Sequence, residues 1–323
     1  MFSPDEVIFA PTGRCNLHCA HCRVSRGAAE LSVDRALGFL ESCAEAGIER
    51  VGFSGGEPFL RPDFLAPVIQ AAVEKGLMFD RLMTNGAWWA DEGRLRNELR
   101  AVYDAGFDGV LGLSYDAYHG QDASTVAVFL KTAFEVWGRR DMAEILSVRS
   151  SDDARFLADL ALVASALGGR VDSDDGEPVR LVDDAYLTRD AATPDDGSGL
   201  VIPVLRSPRS AAAGEAAWGA ASWFQDDYCA GPGNVLYVHP DGSVAVCCGF
   251  ANERPELIVG KVDGGVPALL AAADANAHVR ACYVEGLGAY RARLEGQGVR
   301  FPGKTRDMCF FCDWLCDRGL TGR

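Results

Sequence analysis

Short apolar runs alternate with longer stretches of helical periodicity through the first half of this chain. Val7-Ile8-Phe9-Ala10, Val51-Gly52-Phe53, Arg81-Leu82-Met83, Val110-Leu111-Gly112-Leu113 and Ile145-Leu146-Ser147-Val148 read as strands, being too short for helices. Between them apolar residues recur every three or four positions. In the first such stretch Ser32 is placed to cap a helix, Val33, Leu37, Leu40 and Ala44 share one stripe, and Gly47 closes it. Cys43 lies beside that stripe and reads as a small core thiol. Strand and helix in strict alternation predict successive βα units on a parallel sheet. Leu200-Val201-Ile202-Pro203-Val204-Leu205 is the candidate for a sixth strand.

Past residue 170 the rhythm breaks. Residues 172 to 196 hold nine acids against two arginines, with Gly and Pro, and a solvated loop is expected there. Asp172, Asp174 and Asp175 do not have calcium-loop spacing, so no metal is assigned to them. Farther on, Val235-Leu236-Tyr237-Val238 and Val244-Ala245-Val246 flank Asp241-Gly242, a strong hairpin signal. Helix-like runs follow at Pro267 to Ala273 and His278 to Tyr283. Trp88 and Trp89 are expected to pack a helix onto the sheet.

Composition narrows the functional classes. With 323 residues and 48% apolar content, the chain suffices for one large core and a smaller appended unit. A formal charge of −15 with no Lys/Arg stripe disfavours nucleic acid as a partner. No apolar run is long enough to span a membrane, and Met1-Phe2-Ser3-Pro4-Asp5 lacks the makings of a signal peptide, so no membrane association and a cytoplasmic location are expected. Eleven cysteines in such a chain point to reduced thiolates for metal binding rather than to disulfides.

The candidate chemistry begins with Cys15, Cys19 and Cys22, just after the first strand. Thiolates at this spacing can converge on three irons of a four-iron cubane and leave the fourth open to a small molecule. A zinc site completed by His18 or His21 is the blander alternative. The second strand opens into Gly55-Gly56-Glu57-Pro58, where bare backbone can approach a ligand closely. Thr84-Asn85-Gly86, Ser114-Tyr115-Asp116 and Arg149 follow strands three, four and five, so every suggestive cluster sits at a strand's carboxyl end, where parallel βα folds bind ligands. Tyr115, Asp116 and His119 lie where one of them could take a proton from a substrate, although capping and loop hydrogen bonds are the favoured account of them.

The cysteine run with Gly55-Gly56-Glu57-Pro58 resembles the radical S-adenosylmethionine (SAM) superfamily over roughly the first two hundred residues. His21 stands where that family usually places an aromatic residue. The resemblance implies the α/β class, with a partial (βα)6, TIM-like barrel over residues 1–210. It implies a [4Fe–4S] cluster on Cys15, Cys19 and Cys22 that binds SAM and splits it to a 5′-deoxyadenosyl radical, which takes hydrogen from a substrate carbon. Gly55, Gly56 and Glu57 would then hold the methionine amino group, Ser114 and Arg149 its carboxylate, and Thr84 and Asn85 would face the adenosyl group.

A second constellation runs through Cys229, Cys247-Cys248 and Cys309-Phe310-Phe311-Cys312-Asp313-Trp314-Leu315-Cys316. The hairpin would bring Cys229 and Cys247 together, and Cys309 with Cys312 completes four thiolates, with Cys316 able to replace one of the last pair. Cys248, on the opposite strand face, and Cys282 read as packing residues. The pattern resembles a twitch domain, the shortened SPASM form, which implies a small C-terminal α+β domain at 211–323 with a second, auxiliary [4Fe–4S] cluster. A zinc ribbon is its rival. Relatives of that kind imply hydrogen abstraction to crosslink or oxidise a ribosomally made peptide, with the auxiliary cluster accepting an electron and a flavodoxin or ferredoxin as donor. The alternatives are dehydrogenation of a small alcohol or sugar-like metabolite and a non-catalytic zinc-stabilised binding module. No leader-binding domain is expected before residue 15 or after Cys316.

Overall fold

The expected strands form in a computed structural model of the chain, which describes residues 2–148, 153–173, 179–183, 201–207, 215–225, 229, 234–249 and 251–321. They are β1 (Glu6–Phe9), β2 (Arg50–Phe53), β3 (Met78–Thr84), β4 (Val110–Ser114) and β5 (Ala143–Val148). Each pairs in parallel with the next. The connecting helices are α1 (Val33–Glu45), α2 (Pro62–Glu74), α3 (Glu92–Asp104), α4 (Ala123–Trp137) and α5 (Asp153–Ala166). Strands buried on both faces cannot alternate polar and apolar residues, which is why β1 and β2 read as continuous apolar runs. Phe9 sits at the centre, with its ring 6.3–6.5 Å from those of Phe39, Phe53 and Phe64.

Helix α1 begins as expected: Ser32 Oγ accepts from the Arg35 backbone N–H at 3.3 Å. Its buried face, however, is Ala36, Phe39, Leu40 and Cys43, one step round from the predicted stripe, with Val33 and Leu37 at its flank. Cys43 is therefore fully inside, and burial pushes its thiol pKa far above the ordinary value.

The acidic stretch corrects the loop expectation in part. A hairpin of β6 (Gly169–Ser173) and β7 (Val179–Asp183) occupies its first half, while residues 184–196 lie outside the described residues. Acidic composition masked the pattern, because an edge hairpin needs only backbone pairing and one apolar face. The expected sixth strand is β8 (Val201–Ser207), parallel to β5 and antiparallel to β7.

The C-terminal hairpin does not stand apart from the barrel sheet. It consists of β9 (Val235–Val238) and β10 (Ser243–Ala245), and β9 pairs in parallel with β1. With β11 (Ile258–Lys261) beside β10, the described residues form one sheet of eleven strands in the order β11-β10-β9-β1-β2-β3-β4-β5-β8-β7-β6. At the hairpin turn Gly242 has φ of +81°, a left-handed conformation that favours glycine. Arg35 of α1 reaches this turn, bonding the Asp241 carbonyl and pairing with Asp263 at 2.8 Å. Helices α6 (Val266–Ala275), α7 (Ala277–Arg280), a π-helical turn (Ala281–Glu285), α8 (Leu287–Gly296) and α9 (Met308–Asp317) complete the chain. Trp218, Phe301, Phe311 and Trp314 pack together against α9.

Candidate functional site

Cys15, Cys19 and Cys22 occupy the connection between β1 and α1, at the carboxyl edge of the parallel sheet. Cys15 and Cys19 are half-buried and Cys22 is exposed; none of the eleven cysteines is in a disulfide. The loop is gripped from the second strand: Gly56 N–H donates to the Thr12 carbonyl at 2.9 Å and Glu57 N–H to the Arg14 carbonyl at 2.8 Å. A Cβ on Gly56 would stand 2.0 Å from the Arg14 carbonyl oxygen, so only glycine permits this approach. Gly55 has φ of +114°, and a Cβ there would meet the Ala10 Cβ at 2.8 Å. The glycine pair thus sets the cysteine loop on the sheet.

Glu57 is fully buried, and its carboxylate accepts from Phe59 N–H (3.1 Å), the Thr84 hydroxyl (2.9 Å) and Asn85 N–H (2.8 Å). Burial raises its pKa to about 7, against these hydrogen bonds, which lower it. In this arrangement the carboxylate ties the Gly-Gly-Glu-Pro turn to the end of β3. Thr84 is likewise engaged inside, accepting from Trp88 Nε1 at 3.1 Å. Trp88 stacks on Phe59 at 4.5 Å, the packing role expected of it. Asn85 faces the cysteine loop: its amide donates to Asn16 Oδ1 at 2.8 Å and to Cys15 Sγ at 3.6 Å.

Above β4 the expected cluster divides. Tyr115 turns into the core, 2% exposed, with its ring 5.6 Å from that of Phe156 and its hydroxyl without a hydrogen-bond partner among the described residues. It does not lie over the strand end, because a strand alternates its side chains and Ser114 takes the other face. Asp116 and His119 do gather at the cysteine loop. Asp116 accepts from His119 Nδ1 at 2.8 Å and from Val148 N–H at 3.0 Å, and His119 bonds Cys19. The His119 ring lies 5.0 Å from that of His21. Burial disfavours charge on His119, but its bonds to Asp116 and Cys19 outweigh this and hold its pKa at about 9. Burial likewise acts to raise the Asp116 pKa, and the His119 and Val148 contacts more than offset it. Ser114 is half-buried at the end of β4, its carbonyl accepting from Gln121 Nε2, and Arg149 lies outside the described residues. A cavity of about 440 Å³ opens beside the loop, lined by Gly13, Arg14, Cys15, Asn16, His18 and Arg26 among others.

The C-terminal thiols also gather. Cys229 lies near Cys247 and Cys309, and its backbone N–H donates to the Cys282 carbonyl at 3.4 Å. Cys309, Cys312 and Cys316 share one face of α9, at three- and four-residue steps. Tyr283 donates to the Val246 carbonyl at 2.7 Å, which pins the hairpin to the π turn. Cys248 packs with Ala10, Tyr237 and Ala245, away from Cys247, as strand alternation predicts. Two buried residues outside the expected metal set join the group. His278 Nε2 lies 3.2 Å from Cys312 Sγ, 3.6 Å from Cys316 Sγ and 4.0 Å from Cys282 Sγ. The signal in the chain was the spacing His278-x3-Cys282, which puts both on one helical face opposite Cys312-x3-Cys316.

Three half-buried or exposed thiols on one loop, beside an open cavity, form a donor set suited to an iron–sulfur cluster with one corner free. Residues 9–119, which enclose this loop, match the family model of the radical SAM superfamily. The PqqA peptide cyclase of Methylorubrum populi is 38% identical over 119 residues, 33% of this chain and 29% of that protein. The GTP 3′,8-cyclase of Limosilactobacillus fermentum is 26% identical over 168 residues, 47% of this chain and 48% of that protein. The chain therefore spans from about three tenths to one half of the length of these curated relatives. Among solved structures, anSMEcpe with bound AdoMet and a Cp18Cys peptide overlaps 82% of this chain and 79% of that one, at 17% identity and a TM-score of 0.48. Residues 9–119, built round the thiol loop they enclose, are thus the part of the chain that is similar to the radical SAM superfamily.

Proposed function

We propose that this chain is a radical SAM enzyme that modifies a peptide. The observation that carries the reading is the cysteine loop, held on the sheet edge by the Gly55-Gly56 turn and open on one side to the cavity. Bound there, a [4Fe–4S] cluster would supply one-electron reducing chemistry to SAM, from which hydrogen abstraction at a substrate C–H bond would follow. Cys15, Cys19 and Cys22 hold that cluster. Asn85 and His119 bond Cys15 and Cys19 and so orient them on the loop. Asp116 orients His119, and Glu57 fixes the turn whose backbone, with Ser114 and Arg149, meets the methionine part of SAM. The C-terminal thiols Cys229, Cys247 and Cys309, with Cys312 or Cys316, would hold an auxiliary cluster, which would offer one-electron acceptance to a substrate radical. A peptide is favoured as substrate because a peptide cyclase is the relative matched at 38% identity over the cysteine loop's own domain.

The test uses oxygen-free, reconstituted protein with SAM, a reductant and short peptides encoded beside its gene. Deoxyadenosine formation with a mass change in one peptide supports the reading, and Cys19→Ala abolishes both. Roughly eight irons per chain fit two clusters. SAM cleavage surviving in Cys19→Ala would remove that thiol from the site. The longer match to a nucleotide cyclase favours a small-molecule substrate as the second reading. Deoxyadenosine with every peptide unchanged would put it first.

A further inference from the structure

Among the C-terminal thiols, Cys312 is the hub. It is in hydrogen-bonding contact with both Cys282 and Cys316, and His278 Nε2 approaches it to 3.2 Å, nearer than any other sulfur. His278 is 2% exposed, so whatever its ring does is done in a dry, low-dielectric setting where polar contacts weigh most. Its position is well determined. The Asn276 side chain caps α7 by accepting from His278 N–H at 2.9 Å and Val279 N–H at 3.1 Å, and the π turn that follows brings Cys282 to the same face. Single-turn π segments of this kind recur at functional sites.

Two roles are open to an imidazole that meets sulfur: ligating a metal through the Nε2 lone pair, or donating an Nε2–H to a metal-bound thiolate. Hydrogen-bond accounting separates them. A ligating Nε2 requires the proton on Nδ1, and such a ring ordinarily donates that N–H to an acceptor. Nδ1 of His278 is buried with no hydrogen-bond partner among the described residues. An N–H there would leave a buried donor unmet, the more expensive arrangement, whereas a proton on Nε2 spends the ring's only donor on sulfur.

We propose that His278 is a positioning residue of the auxiliary cluster, donating its Nε2–H to the sulfur of Cys312 and thereby marking Cys312, rather than Cys316, as the cluster ligand. This rests on the auxiliary cluster proposed above. A donor to a ligating thiolate withdraws charge from the cluster and favours its reduced form, since hydrogen bonds to the sulfurs are among the terms that set such potentials. The imidazole thus suits this cluster to accept an electron from a substrate radical. Cys282, buried beside them, stays in hydrogen-bonding contact with Cys312.

The experiment is a redox titration of the C-terminal cluster in the full chain carrying Cys15→Ala, Cys19→Ala and Cys22→Ala, so that one cluster remains. His278→Phe removes the donor, and its potential is expected to fall by about 59 mV, a tenfold change in the reduced-to-oxidised ratio of a one-electron couple. His278→Gln, which returns an N–H, is expected to recover most of that shift. A second measurement needs no variant at His278: with ¹⁵N-labelled histidine, the reduced cluster should show a weak nitrogen coupling and an exchangeable proton. An unchanged potential in His278→Phe with iron retained would overturn the proposal alone. A strong coupling from directly bound nitrogen, or iron lost from both variants, would make His278 a ligand and overturn it equally. No iron in the parent triple variant would sink the auxiliary cluster itself, and the proposal with it.

Discussion

Gly56 shows how much a single residue decides here. Its missing side chain lets the Arg14 carbonyl come within what would be 2.0 Å of a Cβ, and the cysteine loop hangs on that contact. Gly56→Ala must push the loop away, at about 1–3 kcal/mol of overpacking. The expected result is a lower thermal midpoint and, after reconstitution, iron lost from the N-terminal trio with the C-terminal iron retained. Glu57 gives a prediction with a pH sign. Its pKa rises from 4.5 to about 7 on folding, so the folded chain binds this proton more tightly than the unfolded one. Its contribution is fully present below about pH 4.5 and is lost as pH rises through about 7. In Glu57→Gln that loss is absent, but the amide cannot accept from both Asn85 N–H and the Phe59 and Thr84 donors, so the variant is less stable throughout by about 1–3 kcal/mol. Urea unfolding of metal-free protein between pH 5 and pH 8 checks it, and an unaltered slope with pH in the variant would refute the assignment. The glycines and Glu57 stood out in the chain because a Gly-Gly-Glu-Pro run closes an apolar strand. That the Glu57 carboxylate is spent on the Thr84 hydroxyl and the Asn85 N–H was not legible there, because those donors stand at and just past the end of β3.

At the scale of elements, capping links stability to the metal sites. Ser32 caps α1, and Asp307 caps α9 by accepting from Phe310 N–H at 2.9 Å. Removing either cap costs about 1 kcal/mol. Only α9 carries metal-ligand candidates, so Asp307→Ala should lower the C-terminal iron content as well, whereas Ser32→Ala should lower stability alone. Iron per chain beside the unfolding midpoint separates the two, and equal iron in both variants counts against α9 as a ligand helix. The first five strands, β8 and the Asp241-Gly242 hairpin were readable because each is a local pattern of apolar residues and turn formers. The β6–β7 hairpin was not, since its acids outweighed its short apolar alternation. The stripe of α1 came out one step round for a related reason. Periodicity gives the spacing of a buried face, while the sheet it packs on gives its rotation.

For the whole molecule, the pairing of β9 with β1 makes the cysteine-rich C-terminal unit part of the barrel sheet. Cutting the chain after residue 210 would strip β9 from β1 and bare the edge of a strand whose Val7 and Phe9 are fully buried. Such a fragment is expected to aggregate, since an unpaired apolar edge is a template for association. A monomeric, thermally cooperative fragment in size-exclusion chromatography would contradict this. Other ties point the same way: Arg35 to Asp263, and Ser25 N–H to Glu253 at 2.9 Å, which fastens the cysteine loop itself to the C-terminal unit. Taken by itself, the amino-acid order determined the βα rhythm, the thiol trio and the glycine turn, because each depends on neighbours a few residues away. Tertiary structure alone decided which donors meet which acceptors: Asn85 N–H with Glu57, His119 with Cys19, His278 with Cys312. Those partners stand tens of residues apart, and only the packing of helices on one continuous sheet brings them within a hydrogen bond's reach.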